Sequence, residues 1–407
     1  MKALVIGLGI SGKAAARLLK KLGAEVTGVD KRDIELNGVR VLREDVVSDL
    51  SSFDLVVLSP GVSPDHHLCL EARRLNIELI GEMELACRYL KQPAIGITGT
   101  NGKTTVTLMV EHLLRHIGIP ARAVGNVGIP LSAQENWRLG EIAVVEVSSF
   151  QLETMQTPIF DQALILNISA DHLDRHGSLQ GVAEAKFRLQ NCLKPDGLFH
   201  LSEEITRSWR CLAQRDIEIF DKFGYREDSG HDRENQLAAW ALCSKLGMTQ
   251  DDFSRGLLSF EKPRHRLQFV RELAGVSFYN DSKATNIVAT VKAVESIKKD
   301  IILLAGGFDK GLSYTAWPTV FKGRVKSVLA FGQTAPKIRS ALDGVVEVKE
   351  FVALDDALEF SHKIAKAGDT VLLSPGCSSF DQFRDYAHRG EEFIKAVNNL
   401  SLIGEKV

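Results

Sequence analysis

Gly99-Thr100-Asn101-Gly102-Lys103-Thr104-Thr105 lies between an apolar run, residues 94–97, and a segment, residues 106–114, that has the apolar spacing of a helix. A glycine loop between a strand and a helix points backbone N–H groups and the positive helix end at one spot, which suits a polyphosphate. In such a loop Lys103 reaches the outer phosphates and the Thr104 hydroxyl ligates Mg²⁺. The general phosphate-loop pattern has glycine five residues before Gly102, where this chain has Ile97. The loop is therefore a variant of that pattern.

The size and composition of the chain restrict its class. A length of 407 residues predicts two to three domains. A net charge of −2 and the lack of Lys/Arg runs longer than two argue against a nucleic-acid partner. We find no apolar stretch of membrane-spanning length and expect no membrane insertion. Six scattered cysteines without a Cys-x-x-Cys pair predict a reducing, cytoplasmic location. We expect a monomer.

Strand and helix patterns alternate along most of the chain, which predicts an α/β fold with mostly parallel sheets. Strands are predicted at residues 2–7, 24–30, 55–59 and 77–80, and Pro93 follows as a break. Pro263 marks a second boundary before another alternating region. The predicted domains are therefore residues 1–91, 92–262 and 263–407.

A second glycine loop, Gly7-Leu8-Gly9-Ile10-Ser11-Gly12, follows the first strand and matches the dinucleotide fingerprint. Asp30 ends the next strand at about the distance expected for a ribose contact. The loop indicates an NAD site only weakly, because the same turn holds any nucleotide diphosphate. Ser59-Pro60-Gly61 follows the third strand and is expected to face the same crevice. The glycines could instead serve helix–strand packing alone.

Polar residues follow the strands of the central region. Glu146 ends an apolar strand beside the phosphate loop and is a candidate Mg²⁺ ligand, or else a satisfied strand-end carboxylate. His172 follows the next strand and could bind a divalent ion, although a lone histidine usually does not. Lys186 has the pattern of an ordinary helix lysine, and Asn126 that of a turn residue. The residues alone therefore predict roles only for Glu146 and His172.

In the third region, four predicted strands each end in a polar or glycine-rich loop. The strands are residues 276–279, 301–305, 328–331 and 371–373. Because ligands of open α/β sheets bind beyond the carboxyl ends of the strands, this region is expected to bind a ligand.

The chain resembles the Mur ligases, whose ATP loop is similar to Thr98–Thr104 and is shared with the folylpolyglutamate synthetases. Further matching segments run in order along nearly the whole chain: residues 146–152, 171–175, 265–266, 280–286, 373–375, 381–383 and 389–390. The last segments favour the branch that adds D-glutamate to UDP-N-acetylmuramoyl-L-alanine, with ATP and two Mg²⁺ ions. This resemblance implies a Rossmann-like N-terminal domain, a P-loop ATPase-like central domain and a Rossmann-like C-terminal domain that closes over the ligands.

The resemblance also implies residue roles. The nucleotide-sugar substrate is expected to meet Ile10, Ser11, Asp30, Lys31, Arg32, Ser59, Pro60, Gly61, Asn126 and His172. ATP is expected at Gly99, Thr100, Asn101, Gly102, Lys103, Thr104, Thr105, Asn235, Arg266 and Asp281. D-Glutamate is expected at Lys283, Thr285, Lys310, Ser379 and Tyr386. The expected metal ligands are Thr104, Glu146, His172 and a carbamylated Lys186. Lys103, His172, Lys186 and Lys310 are the expected catalytic residues.

One segment departs from the family pattern. The family usually has an Asn on the adenine side just before Asn235, and this chain has Asp232. Because a carboxylate cannot donate the amide hydrogen bond, we expect a different adenine contact here.

Three other functions compete with an amide ligase of this substrate class. A folylpolyglutamate-type ligase has the same chemistry, but those enzymes begin with the ATP domain. An NAD(P) oxidoreductase fits the first glycine loop but lacks a redox centre in the sequence. A non-catalytic nucleotide-binding regulator would not need the charged strand ends of the third region.

Overall fold

The computed structural model describes residues 1–47, 49–133, 135–222, 233–298, 300–311 and 313–401. These residues form two compact units: residues up to 222 with 234–260, and residues 261–401. Each sheet is largely parallel and lies between helices, which confirms the predicted α/β class. The Ser229–Asp232 stretch, including Asp232, lies outside the described residues.

The first sheet belongs to the first unit and is fully parallel, with strand order β3-β2-β1-β4-β5. Its strands are β1 (Lys2–Ile6), β2 (Glu25–Asp30), β3 (Arg40–Arg43), β4 (Leu55–Leu58) and β5 (Glu78–Gly81). Apolar runs such as Ala3-Leu4-Val5-Ile6 form its strands because helices cover both faces. In this sheet only the edge strand β3 was not predicted, because its two apolar residues lie between arginines.

Three helices follow these strands: α1 (Ile10–Lys21), α2 (His67–Arg74) and α3 (Glu82–Tyr89). Ala15 and Leu19 of α1 pack on one face of the sheet, and Leu68 and Ala72 of α2 pack on the other. Helix α3 contributes Met83, Ala86 and Cys87 to the core of the next sheet. The predicted boundary at residue 91 therefore separates two sheets but not two compact units, and three domains remain a proposal.

The second sheet is also fully parallel, with order β11-β10-β9-β6-β8-β7. Its strands are β6 (Ala94–Thr98), β7 (Ala121–Gly125), β8 (Ile142–Glu146), β9 (Phe160–Ile165), β10 (Leu193–Leu201) and β11 (Ile217–Ile219). Its helices are α4 (Lys103–His116), α5 (Ser149–Leu152), α6 (Leu173–His176), α7 (Leu179–Phe187), α8 (Glu203–Trp209), α9 (Arg233–Ser244) and α10 (Gln250–Leu258). Helices α4, α9 and α10 bury one face. Because β6 lies between β9 and β8, the loop that follows it is flanked by the ends of both neighbours.

The second unit contains one sheet of order β12-β13-β17-β14-β15-β16, in which only the β12–β13 pair is antiparallel. Its strands are β12 (Gln268–Leu273), β13 (Val276–Asn280), β14 (Ile301–Gly306), β15 (Val325–Phe331), β16 (Glu347–Phe351) and β17 (Thr370–Leu373). Its helices are α11 (Ile287–Ser296), α12 (Trp317–Phe321), α13 (Ala335–Ala341), α14 (Leu354–Ile364) and α15 (Tyr386–Asn399). No helix among the described residues is long and apolar enough to cross a membrane.

Candidate active site

The phosphate loop joins β6 to α4 with its glycines in conformations that other residues rarely adopt. Gly102 has φ of 81°, and a Cβ there would lie 2.4 Å from Asn235 Oδ1. Lys103 Nζ donates to the carbonyl oxygens of Gly99 at 2.8 Å and Thr100 at 3.0 Å. The lysine is therefore folded back over the loop that it follows, with the N-terminus of the fourteen-residue helix α4 directly behind it.

Asn167, to which the sequence analysis gave no role, holds this loop in place. Its Oδ1 accepts from Asn101 N at 2.9 Å, and its Nδ2 donates to Asn101 O and Glu234 Oε1, each at 3.2 Å. Thr100 N donates to Asn167 O at 3.0 Å. The position of Asn167 just beyond β9, at the same sheet edge as the loop, was the sequence signal that could have predicted this role.

Lys186 lies in the last turn of α7 and is buried, with 4 % of its surface exposed. Its Nζ donates to Gly99 O at 2.9 Å, the same carbonyl that accepts from Lys103. Burial, together with the nearby positive charge of Lys103, lowers its pKa to about 7, while Asp171 acts in the opposite direction. The interpretation of Lys186 as an ordinary helix lysine was wrong, because this amine faces the phosphate loop.

Glu146 ends β8 at the same sheet edge, paired in register with Ile97 of β6. Its side chain is buried, and Oε1 accepts from Asn126 Nδ2 at 2.8 Å. Its Oε2 is also buried and has no hydrogen-bond partner among the described residues. A buried carboxylate oxygen without a donor is costly unless a cation or water meets it, so this oxygen is a plain candidate for a metal ligand.

His172 precedes α6 with φ of 52°, a conformation that is uncommon outside glycine. Its ring lies edge-on to Phe150, with centroids 4.8 Å apart, and the Arg175 guanidinium lies 4.1 Å from the same Phe150 ring. Arg175 is paired with Glu153 at 2.6 Å. Helices α5 and α6 are thereby joined, which positions the His172 ring.

The first glycine loop lines a cavity of about 480 Å³ within the first unit. Of the residues predicted to hold the nucleotide-sugar, the structure brings together at this cavity Ile10, Ser11, Asp30, Arg32, Ser59, Pro60, Gly61 and Asn126. Lys31 is exposed and does not line it. Gln151, which had no predicted role, lines it as well.

Asp30 organises one wall of this cavity. Its carboxylate accepts from Leu8 N at 2.7 Å and from Arg32 N at 3.0 Å. The Arg32 side chain also donates to it, which is the main reason that the pKa of this carboxyl is lowered to about 2. Asp30 therefore stays charged and connects the glycine loop to Arg32.

The second unit brings its predicted residues to the carboxyl ends of its own strands. Asp281 follows β13 and is buried; its carboxylate accepts from Ser374 Oγ at 2.8 Å and from Leu267 N at 3.1 Å. Burial raises its pKa to about 7, against the opposing charges of Arg266 and Arg389. The Asp281 carboxyl is therefore expected to exchange its proton near neutral pH.

The predicted D-glutamate residues lie on loops of the same edge. Lys283 Nζ lies 3.9 Å from the centroid of the Tyr386 ring. Ser379 is buried, whereas Thr285 and Lys310 are half-buried in the loops after β13 and β14.

Arg389, which had no predicted role, links two of these loops. Its side chain is fully buried, donating to Ser282 O at 2.8 Å, Ser282 Oγ at 2.9 Å and Cys377 O at 3.2 Å. It therefore connects the loop that contains Ser282 to the loop that contains Cys377.

The buried carboxyl of Asp281 predicts a pH-dependent stability. Its folded pKa of about 7 exceeds its ordinary value of 3.8. The folded state therefore binds the proton more tightly, and its free energy of unfolding falls as pH rises from about 4 to about 7. In Asp281→Asn the amide can still accept from Leu267 N, and this decline should be smaller. Thermal melts at several pH values test the prediction, and parallel curves for both proteins would contradict it.

Comparisons with known proteins cover the whole chain. Family models match residues 1–81 (Mur ligase MurD-like, N-terminal domain), 97–256 (Mur ligase middle domain) and 265–377 (Mur ligase, glutamate ligase domain). A UDP-N-acetylmuramoylalanine--D-glutamate ligase of Protochlamydia amoebophila is 42% identical, covering 98% of each chain. The protein of the same name from Chlamydia pneumoniae is 37% identical, covering 98% of this chain and 99% of its own.

A solved structure has the same fold at low sequence identity. The MurF ligase of Thermotoga maritima, crystallised in complex with ADP, superimposes with a TM-score of 0.62 at 15% identity. The match covers 97% of this chain and 95% of that one.

Proposed function

The chain belongs to the Mur ligase family and catalyses the ATP-dependent addition of D-glutamate to UDP-N-acetylmuramoyl-L-alanine in peptidoglycan synthesis, and we propose how its residues divide this work. The observation that carries the function is full-length similarity to relatives of that activity, at 37% and 42% identity. The buried group around the phosphate loop supports it, because two lysines and one carboxylate oxygen without a donor among the described residues suit phosphoryl chemistry.

ATP binds at the phosphate loop in this proposal. The backbone N–H groups of Gly99 to Thr105 and the N-terminus of α4 receive the phosphates, as helix N-termini generally do. Lys103, whose Nζ donates to two carbonyl oxygens of the loop, is assigned to the terminal phosphate. Asn235 is assigned to ATP as well, because its Oδ1 lies beside Gly102 of the same loop. Arg266 and Asp281 are assigned to the nucleotide from the second unit.

Two Mg²⁺ ions are part of the proposal, and the residues fit them. The Glu146 Oε2 atom is a buried oxygen without a donor among the described residues, and Thr104 lies in the first turn of α4. His172 and the modified Lys186 are assigned to the second ion. When bound, Mg²⁺ neutralises charge on the phosphoryl oxygens. Asn126, which donates to Glu146 Oε1, orients that carboxylate.

Lys186 is proposed to carry a carbamate. The ammonium group first loses one proton; the neutral amine then attacks CO₂, an N–C bond forms and a second proton leaves, so that a cation becomes an anion. Only the neutral amine reacts in this way, and a pKa of about 7 makes that form abundant at neutral pH. The change also removes a positive charge that burial disfavours in the unmodified chain.

The nucleotide-sugar occupies the cavity at the first glycine loop. Asp30 and Arg32 form its uridine side, and Ser59-Pro60-Gly61 its diphosphate side. Asn126 both lines this cavity and donates to Glu146, so one residue connects the sugar cavity with the phosphate loop. Lys31, exposed and away from the lining, is assigned only a peripheral contact.

D-Glutamate is received by the second unit. The cations Lys283 and Lys310 suit its two carboxylates, and Thr285, Ser379 and Tyr386 supply hydroxyl groups. Arg389 acts as a positioning residue, because it ties the Ser282 and Cys377 loops that flank Lys283 and Ser379.

The reaction is proposed to have two steps. The alanyl carboxylate attacks the terminal phosphorus of ATP, the bond to ADP breaks and an acyl phosphate forms. The D-glutamate amine then attacks the acyl carbon, losing a proton, and phosphate leaves. Lys103 and Lys310 stabilise the negative charge of these steps. His172 could take the amine proton only when not bound to metal, so the base stays unassigned.

The function is tested by phosphate release with UDP-N-acetylmuramoyl-L-alanine, ATP and a panel of amino acids. Release with D-glutamate and not with L-glutamate, L-lysine or glycine is expected. Release with a different amino acid would overturn the D-glutamate assignment. Release with a folate substrate in place of the nucleotide-sugar would overturn the sugar assignment.

A cytoplasmic monomer completes the proposal. Six unpaired cysteines, five of them buried, suit a reducing compartment. Sedimentation analysis with substrates present tests the monomeric state.

A further inference from the structure

A cluster of metal-binding side chains lies in the first unit, outside the residues assigned to the reaction. Glu44 begins the turn that follows β3; His66 caps α2 and His67 begins it, after the loop that follows β4. Because both strands are parallel members of one sheet, the three residues reach the same edge. We propose that Glu44, His66 and His67 bind one divalent transition-metal ion of the Zn²⁺ type.

The distances suit a single ion. His66 Nε2 lies 2.9 Å and His67 Nδ1 3.8 Å from Glu44 Oε1, and the three ligand atoms lie within 4.8 Å of one another. Ligand atoms about 2.0–2.2 Å from tetrahedral Zn²⁺ lie about 3.3 Å apart. The imidazole rings are already stacked, with centroids 4.6 Å apart. The two distances to Glu44 Oε1 lie on either side of the tetrahedral spacing.

The donor set selects the kind of ion. Two imidazole nitrogens and one carboxylate oxygen suit Zn²⁺, Co²⁺ or Ni²⁺, whereas Mg²⁺ prefers oxygen ligands and retains water. This site is therefore chemically distinct from the Mg²⁺ positions proposed at the phosphate loop. His67 is exposed and Glu44 is partly exposed, so an ion can enter and water can complete its coordination.

Binding changes the proton arrangement at His66. Its Nδ1 accepts the α2 cap hydrogen bond from Leu68 N at 3.3 Å, so its proton is on Nε2, facing Glu44. An ion at Nε2 requires the proton to move to Nδ1, which gives up that long hydrogen bond. Ion binding requires no such proton transfer at His67 or Glu44.

The site connects two segments around the nucleotide-sugar cavity. The loop from Ser59 to Val62 lines that cavity, and the same loop leads into His66. An ion held by Glu44 therefore ties the end of this loop to the turn after β3. We expect bound metal to raise the thermal stability of the first unit.

The test measures Zn²⁺ binding to the chelator-treated full-length protein by calorimetry, with Mg²⁺ in excess to occupy oxygen-rich sites. His67→Ala is the main variant because it leaves the His66 cap intact, and we expect it to weaken Zn²⁺ binding about tenfold or more. Glu44→Gln still accepts from His66 Nε2, so it keeps the structural hydrogen bond while weakening the metal site. His116→Ala, at an exposed histidine of α4, is the matched control and should bind like the unmodified protein.

Co²⁺ gives a second readout that does not depend on activity. The unmodified protein and His116→Ala should develop the visible absorption of tetrahedral Co²⁺, and His67→Ala and Glu44→Gln should lose it. Equal Zn²⁺ affinity in the unmodified protein, His67→Ala and Glu44→Gln would overturn the proposal. Absence of Zn²⁺ binding to the folded, unmodified protein would overturn it as well. Neither outcome bears on the ligase function.

Discussion

Lys103→Ala should lower the turnover of the ligase by about a hundredfold to a thousandfold, the usual effect of removing one group that stabilises transition-state charge. In the structure Lys103 Nζ donates to Gly99 O and Thr100 O, which places its positive charge at the phosphate loop. Phosphate release at saturating substrates measures the effect. Calorimetric binding of the nucleotide-sugar should stay unchanged, because its cavity is lined by other residues.

The control for this variant is Lys91→Ala, which removes an exposed lysine of the same unit. It should retain the unmodified rate and melting temperature. Near-normal turnover of Lys103→Ala would refute the role given to the phosphate loop. A large loss of nucleotide-sugar binding together with a lowered melting temperature would instead show that the variant is misfolded, and Lys103→Met would then replace it as the test.

Lys186→Ala should be nearly inactive and should regain part of its activity in acetate. The carbamate is proposed to supply a carboxylate in a buried space beside Gly99, and the truncated side chain leaves room for a small carboxylate there. The rate of the variant is measured against acetate concentration, with chloride as the salt control. An acetate-independent rate equal to that of the unmodified protein would exclude the carbamate.

Lys186→Arg provides the matched comparison. Its guanidinium keeps the positive charge but cannot add CO₂, and its bulk leaves no space for acetate. We expect an inactive protein that acetate does not rescue. ¹³C NMR after addition of labelled bicarbonate should give a carbamate resonance in the unmodified protein and none in Lys186→Ala. The same resonance in both proteins would assign the signal to another amine.

Apolar periodicity predicted strands with a continuous buried apolar run, and it missed strands without one. Strands β3 and β16 are partly exposed, with charged residues within four- and five-residue segments, so neither shows a continuous apolar run. The domain boundary predicted at residue 91 stays a prediction. Helix α3 follows the first sheet in sequence, but Met83 and Cys87 pack against the second.

The site was predictable where a residue follows a strand directly. Glu146 and the phosphate loop end adjacent strands, so their proximity follows from parallel topology alone. Asn167 occupies an equivalent position but was missed, because an amide beyond a strand end has no distinctive pattern. Lys186 had no local signal at all, since its helix gives no indication that the last turn faces the loop.

The sequence by itself determined the strand–loop–helix unit at Gly99 to Thr105, the α/β class and the family, because these depend on short-range spacing and on motifs in order. Only the tertiary structure decided the lowered pKa of Lys186, whose partner Gly99 is 87 residues away. It also decided that Glu146 has a buried oxygen without a donor in the described part of the chain and that Glu44 contacts His66. Burial and charge proximity depend on which distant segments pack together, and no local pattern of residues records that.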